Sequence, residues 1–488
     1  MSFVQKAAIT RKGWTGTMEV EELDPEKNAL SPTPRLVSKK HDGSACRLIF
    51  AATCAFLGPF SFGYSIGYSS PALPELEKLG ILTRSQSGWF GSLLTVGALI
   101  GGPFGGLLME KFGRRTAMKF TSIPFFFGWL CIAFWSGTQG LFFGRFLCGF
   151  ASGLVTVSVP VYIAETSTTS LRGTLGAGIQ LSITIGILAS YSAGMYFQWS
   201  DMAIIGMIPA CLAFVTLYFV PETPRWLLLN GKKLEAVASL RQLRYEHADC
   251  EDECRDIEEG LDLKEQFTWS EFKKPELSRP LMISVFIMIF QQFSGINAIM
   301  FYTVTIFKNA GLGISELATV LVGAVQVGGT FVSCLLMDRM GRRRLLIIAG
   351  LSMSLSLLVM GWCYHKLDTG SSPADVGMIS VICVVVYILG FSLGWGPIPM
   401  LIMSEIFPSR ARGAASSIAV FTNWFCAFVV TKEFLFVQDV FGAATTFWMF
   451  AFFCACSVMF VWRKVPETKG KSLEDIELFF LGKSTLIV

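Results

Sequence analysis

Imidazole is nearly missing from this chain. Its three histidines, His41, His247 and His365, stand far apart and outside the apolar stretches, so neither a histidine-activated nucleophile nor a histidine metal site has the groups it needs. Charge is scarce as well: Asp, Glu, Lys and Arg make up 16% of the 488 residues, against about 25% in soluble domains. No glycine-rich phosphate loop follows a strand-like run, and no two carboxylates pair within a common segment. Catalysis is therefore not expected, and no cofactor or metal is implied. The chain contains no Asn-x-Ser/Thr sequon. Its 13 cysteines fall mostly inside apolar stretches, where a thiol behaves as a small hydrophobe, so no disulfide framework is implied. Cys250 and Cys254, with His247 nearby, have metal-ligand character, but a closed site normally takes four ligands.

What is there in excess is apolar length. Hydrophobic residues make up 52% of the chain, and the mean hydropathy is +0.54. Runs long enough to cross roughly 30 Å of hydrocarbon as helices lie near 48–70, 87–109, 120–135, 141–163, 174–197, 201–220, 281–308, 315–337, 345–364, 377–403, 414–435 and 440–462. The sequence thus predicts an all-α membrane protein with twelve transmembrane helices. The leader before Leu48 carries Lys39, Lys40 and Arg47 and lacks the form of a cleavable signal peptide. With that leader placed inside, most of the 40 Lys and Arg fall on the cytoplasmic side, which predicts cytoplasmic termini. The net charge of +4 is spread over loop ends, so it reports topology and contact with lipid headgroups and argues against nucleic-acid binding.

The chain says the same thing twice. Glu110 to Arg115 after the second span is echoed by Asp338 to Arg343 after the eighth. Glu165 with Arg172 after the fourth is echoed by Glu405 with Arg412 after the tenth, at equal separation. Pro221-Glu222-Thr223 after the sixth is echoed by Pro466-Glu467-Thr468 after the twelfth. These marks divide the chain into a tail (1–47), a six-helix half (48–220), a linker (221–279), a second six-helix half (280–463) and a second tail (464–488). Such pseudo-repeats are transporter architecture, with a site expected near the midplane between the halves. The linker holds Leu234, Val237, Leu240 and Leu243 at helical spacing; it reads as short amphipathic helices or as a solvated connection.

A charge at the bilayer centre costs about 2.5–3.5 kcal/mol, and the first span (48–70) has none. Arg145 lies near the outer end of the fourth. Glu165, Glu405 and the arginine clusters sit at inner helix ends, where they either follow the positive-inside rule or pair across helices as a gate. Uncharged polar side chains inside the spans are Gln180, Gln291, Gln292, Asn297, Gln326 and Asn423 beside Trp424. Amides donate and accept, as sugar hydroxyls do; singly they glue helices together, and spread over both halves they form a ligand set. Gly295, Gly394, Gly396, Pro397 and Pro399 interrupt two spans, as is tolerated where helices line a cavity.

Gly144-Arg145, Pro160 to Glu165, Pro221 to Arg225, Gln291 to Asn297, Asp338 to Arg343, Gly394 to Pro399 and Pro466 to Gly470 carry a resemblance over residues 48–480. The chain resembles the sugar porters of the major facilitator superfamily. Tyr64 to Pro71, the short first external loop and Met403 to Pro408 are most similar to class III facilitative glucose transporters. The resemblance implies the major facilitator fold, with Gln180, Gln291, Gln292, Asn297, Gln326, Asn423 and Trp424 contacting a sugar and Tyr302 helping to close the outside. It also implies that Arg115, Glu165, Arg172, Arg343, Glu405 and Arg412, with Glu222, form a cytoplasmic latch of the outward-facing state. Ser65 stands where proton-coupled relatives carry aspartate, which favours uniport.

The chain departs from the pattern at four places. Met400 takes the position after Pro-Ile-Pro where glucose-carrying relatives usually have Trp, removing an indole donor and a stacking face. Met288-Ile289-Phe290 replaces a Gln-Leu-Ser signature. The loop near 365–376 is short, and Glu26 to Leu30 forms an incomplete dileucine signal, which leaves plasma membrane or endosomal and lysosomal membrane open. The expectation is facilitated hexose transport by alternating access, with a single chain sufficient. A proton symporter, a trehalose-type disaccharide carrier and a sugar sensor are the alternatives.

Overall fold

The computed structural model describes residues 46–480 except 136, 169–170, 245–249, 263–267, 312, 371–372, 408–410, 470, 472–475 and 477–478. The tail to residue 45, with His41 and the dileucine-like stretch, His247, and the side chains of Asp338 and Arg412 lie outside the described residues. The first half consists of α1 (Cys46–Lys78), α2 (Arg84–Phe112), α3 (Arg114–Phe134), α4 (Thr138–Thr166), α5 (Arg172–Ala193) and α6 (Trp199–Thr216). The linker forms α7 (Pro224–Leu229), α8 (Lys233–Leu243) and α9 (Cys250–Asp262). The second half follows as α10 (Pro275–Phe293), α11 (Ile296–Asn309), α12 (Ser315–Met340), α13 (Arg342–Asp368), α14 (Pro373–Gly390), a π-turn (Phe391–Trp395), α15 (Ile398–Ile406), α16 (Arg412–Phe441) and α17 (Ala443–Lys464). Among the described residues twelve segments are long and apolar enough to cross a membrane, the seventh combining α10 with α11 and the tenth running Val376–Met403 through the π-turn. The helices extend past the apolar runs, so His365 lies in the last turn of α13 rather than outside it.

The sequence repeat is a packing repeat. In the first half α1 packs on α5, α3 on α4 and α3 on α6; in the second α10 packs on α16, α13 on α14 and α13 on α17. The halves meet through α2 with α16, α5 with α12 and α1 with α11. Within a half, glycines permit the close crossings: a Cβ at Gly97 or Gly149 would run into the backbone of α4 or α2, and one at Gly63 or Gly186 into α5 or α1. Lipid offers no hydrophobic drive for helix association, so such close backbone approach supplies the dispersion energy instead.

Two spans are broken for identifiable reasons. Gly295 takes φ +88° between α10 and α11, a conformation that favours glycine, and a Cβ there would strike the Phe450 ring. In the tenth span Pro397 and Pro399 lack the N–H groups that Leu393 O and Trp395 O would otherwise receive. Ser333 Oγ donates to Leu393 O at 2.9 Å, and Gln291 Nε2 donates to Trp395 O at 2.6 Å. Neighbouring side chains thereby satisfy the carbonyls that the prolines release.

The linker is helical. Leu240 and Leu243 are buried, but Leu234 is 89% exposed, so the expected stripe faces inward only in its later part. Cys250 and Cys254 pack with Leu227, Ala236 and Leu240, and burial raises the Cys254 thiol above its ordinary range, which keeps it protonated and unreactive. The Arg244 guanidinium donates to Thr166 O at the end of α4 (2.8 Å) and pairs with Glu253 (2.8 Å), tying the linker to the first half.

Candidate functional site

Within the second half the amides are joined head to tail. Asn297 Nδ2 donates to Gln292 Oε1 (2.6 Å), Gln292 Nε2 to Asn423 Oδ1 (3.2 Å), Asn423 Nδ2 to Gln291 Oε1 (2.7 Å), and Gln291 Nε2 to Trp395 O. The last turn of α10, the first turn of α11 and the middle of α16 bring these four together because Gly295 turns the chain between them. Aligned amide dipoles polarise one another in a low dielectric, and Asn297 Oδ1 stands at the open end of the chain. Gln291 is thus anchored to the π-turn, whereas Asn297 and Gln292 keep an N–H each to offer.

The other expected residues stand apart from this chain. Gln326 on α12 is buried, and its Oε1 accepts no hydrogen bond from the described residues. Gln180 on α5 is half-buried; its helix packs on α12. Trp424 is buried with its ring edge-on to Phe62 of α1 at 5.8 Å. Met400 is 41% exposed on α15. Ser392, in the π-turn, is a group that sequence reading missed: its hydroxyl is buried and also unbonded among the described residues. The broken span was its one sequence signal.

The face opposite the linker is closed. Tyr302 departs from helical geometry (φ −118°, ψ 18°) inside α11, which frees a backbone N–H and a carbonyl. Val304 N donates to Ser70 Oγ (3.0 Å), and Met300 O accepts from Tyr191 (2.9 Å), both partners belonging to the first half. Tyr302 itself is buried, stacks on Phe434 and donates to Ser87 O.

On the linker face the three repeated sequence marks converge in each half. Gly113 and Gly341 (φ +94° and +89°) start α3 and α13. Glu222 accepts from the backbone N–H of Arg114 and Arg115, and Glu467 from those of Arg342 and Arg343. A carboxylate at a helix N-terminus satisfies orphan donors and the helix dipole together. Glu165 pairs with Arg114 (2.9 Å) and accepts from Thr223; Glu405 pairs with Arg342 (3.0 Å) and accepts from Thr468. The partner arginines are Arg114 and Arg342, because the side chains of Arg115 and Arg343 turn to the carbonyls of Val220 and Trp462. The pairs also close within each half while the opposite face is sealed, so they are not confined to a state closed on the linker face. Arg172 is exposed at the start of α5.

The family model described as "Sugar (and other) transporter" matches residues 51–480. The chain belongs to the sugar transporter family. As a sugar transporter it is 39% identical over 459 residues to mouse (Mus musculus) "Solute carrier family 2, facilitated glucose transporter member 8", covering 90% of this chain and 95% of that protein. It is 40% identical over 444 residues to "Facilitated trehalose transporter Tret1" of Drosophila mojavensis, covering 89% of this chain and 51% of that longer protein, so the chain spans about half its length. Among solved structures, the inward open conformation of the xylose transporter XylE from E. coli matches with a TM-score of 0.75 at 26% identity, over 88% of this chain and 98% of that one. A partially occluded inward open form gives 0.76. The sugar transporter is thus a multi-pass membrane protein of the major facilitator fold, and its buried Arg145 fits that frame. Its guanidinium donates to Ser65 O (2.8 Å) and Ser69 Oγ (2.5 Å) and lies 4.8 Å from the Phe90 ring centre.

Proposed function

We propose that this chain carries a hexose by uniport, its two halves rocking about the amide chain. The observation that carries this reading is the run Asn297, Gln292, Asn423 and Gln291. It offers donors and acceptors to a neutral polyol between halves that meet tightly on one face. Gln326, Gln180, Ser392 and Trp424 extend the site, and Met400 replaces a stacking ring with a flexible apolar side chain. The glucose transporter of mouse matches over nearly its whole length, which supports a monosaccharide. The trehalose transporter of Drosophila mojavensis is as similar, so a disaccharide is the second reading. Ser65, presenting no carboxylate to Arg145, supports transport without a proton.

The abundance of Lys and Arg on the linker face supports placing that face in the cytoplasm. The conformation closed opposite the linker is then inward-facing. In this reading the family's latch function falls to Arg172, at the start of α5, and to its sequence counterpart Arg412, as partners of the glutamate clusters when the linker face closes. Uptake of radiolabelled hexoses and of trehalose into proteoliposomes tests the reading. Saturable hexose uptake is expected; uptake of trehalose with no hexose competition overturns it.

A further inference from the structure

Among the described residues, an ion pair joins the halves on the face opposite the linker. A capping box between Thr83 and Gln86 fixes the start of α2, which holds Arg84 at its first position. Asp439 lies in the last turn of α16, the helix that crosses α2. The Arg84 Nε donates to Asp439 Oδ1 at 2.8 Å and to Oδ2 at 3.0 Å, and Nη2 reaches Oδ1 at 2.8 Å, a forked arrangement across 355 positions of sequence. Farther along the same crossing, Lys432 Nζ of α16 lies 4.9 Å from the Trp89 ring centre of α2, and Trp89 meets Phe428. The ion pairs on the linker face, Arg114 with Glu165 and Arg342 with Glu405, close within one half.

The side chains of Arg84 and Asp439 are 43% and 51% exposed. Each would be solvated if the other left, so neither half needs the pair in order to fold. What the pair does is couple α2 to α16, and only while this face is closed. A contact present in one of two states biases the balance by its own free energy. We infer that Arg84 and Asp439 form a clamp that holds this face closed and so sets the directional asymmetry of transport; the transport part rests on the alternating-access reading. A passive carrier keeps its equilibrium, but the half-saturating sugar concentrations on the two faces shift in opposite senses when the clamp is removed.

The test uses the full chain in proteoliposomes with Ser87→Cys as a reporter, since Ser87 is buried in the closed face beneath Tyr302. Labelling by a membrane-impermeant thiol reagent from that face is read above the background of the chain without the reporter. Arg84→Ala and Asp439→Ala should each raise the labelling rate roughly two- to fivefold, as befits an exposed pair. The double reversal Arg84→Asp with Asp439→Arg should return it to the starting value. High salt on that face should raise labelling of the native pair and leave the single variants unchanged. Single variants that label at the native rate, or a reversal that labels like the singles, overturn the clamp. Labelling needs no transport, so a chain that moves no sugar would sink the transport reading while leaving this arm decisive.

Discussion

Replacing Gln326 or Gln291 with leucine separates a residue that waits for ligand from one that holds the site. Gln291 is bonded at both ends, donating to Trp395 O and accepting from Asn423 Nδ2. Its replacement by Leu strands a carbonyl whose helical donor is a proline and an amide N–H inside the membrane. Such losses cost about 1–3 kcal/mol in water-based series and average about 0.6 kcal/mol per interhelical bond in membranes, so about 1–2 kcal/mol of stability should go. The Gln326 Oε1 is buried without a bond among the described residues. Leucine there removes a polar atom that the protein does not use, so stability should stay level or rise. Both variants should bind sugar roughly tenfold more weakly, the equivalent of about 1.4 kcal/mol. Thermal unfolding of purified protein with and without sugar, paired with uptake into proteoliposomes, reads both quantities. If Gln326→Leu unfolds as early as Gln291→Leu, or binds sugar as the unmodified chain does, the division of labour is wrong.

Gly97→Val should abolish accumulation of folded protein, since its side chain would overlap α4, whereas Gly176→Ala, with open space around it, should accumulate normally; size-exclusion profiles of detergent extracts compare them. Addition of sugar should leave the lumenal pH of proteoliposomes unchanged, and sugar-dependent acidification reported by an internal dye would refute uniport. Arg244→Ala removes charge-assisted bonds to Thr166 O and Glu253, worth about 1.5–3 kcal/mol each when shielded, and should expose the linker to limited proteolysis while sugar binding persists. Unchanged cleavage would show that α8 and α9 dock by their apolar face alone.

Much of this protein was written in one dimension. Apolar length determines twelve spans because an unbonded backbone cannot sit in hydrocarbon, and the duplicated marks determine two halves because each mark must serve the same place in each. The amides were legible for the same reason: polar groups are so costly in a span that their presence asks for a purpose. What the sequence could not decide was who touches whom. Arg114 and Arg115 are adjacent and chemically identical, and only the direction in which α3 leaves Gly113 sends one to Glu165 and the other to Val220 O. Gln291 and Gln292 are likewise neighbours, yet a proline 108 positions beyond Gln291 empties a carbonyl that captures the first. The ion pair between Arg84 and Asp439 carries no local signal, because two exposed charges at helix ends are unremarkable until the crossing of α2 and α16 brings them within a hydrogen bond.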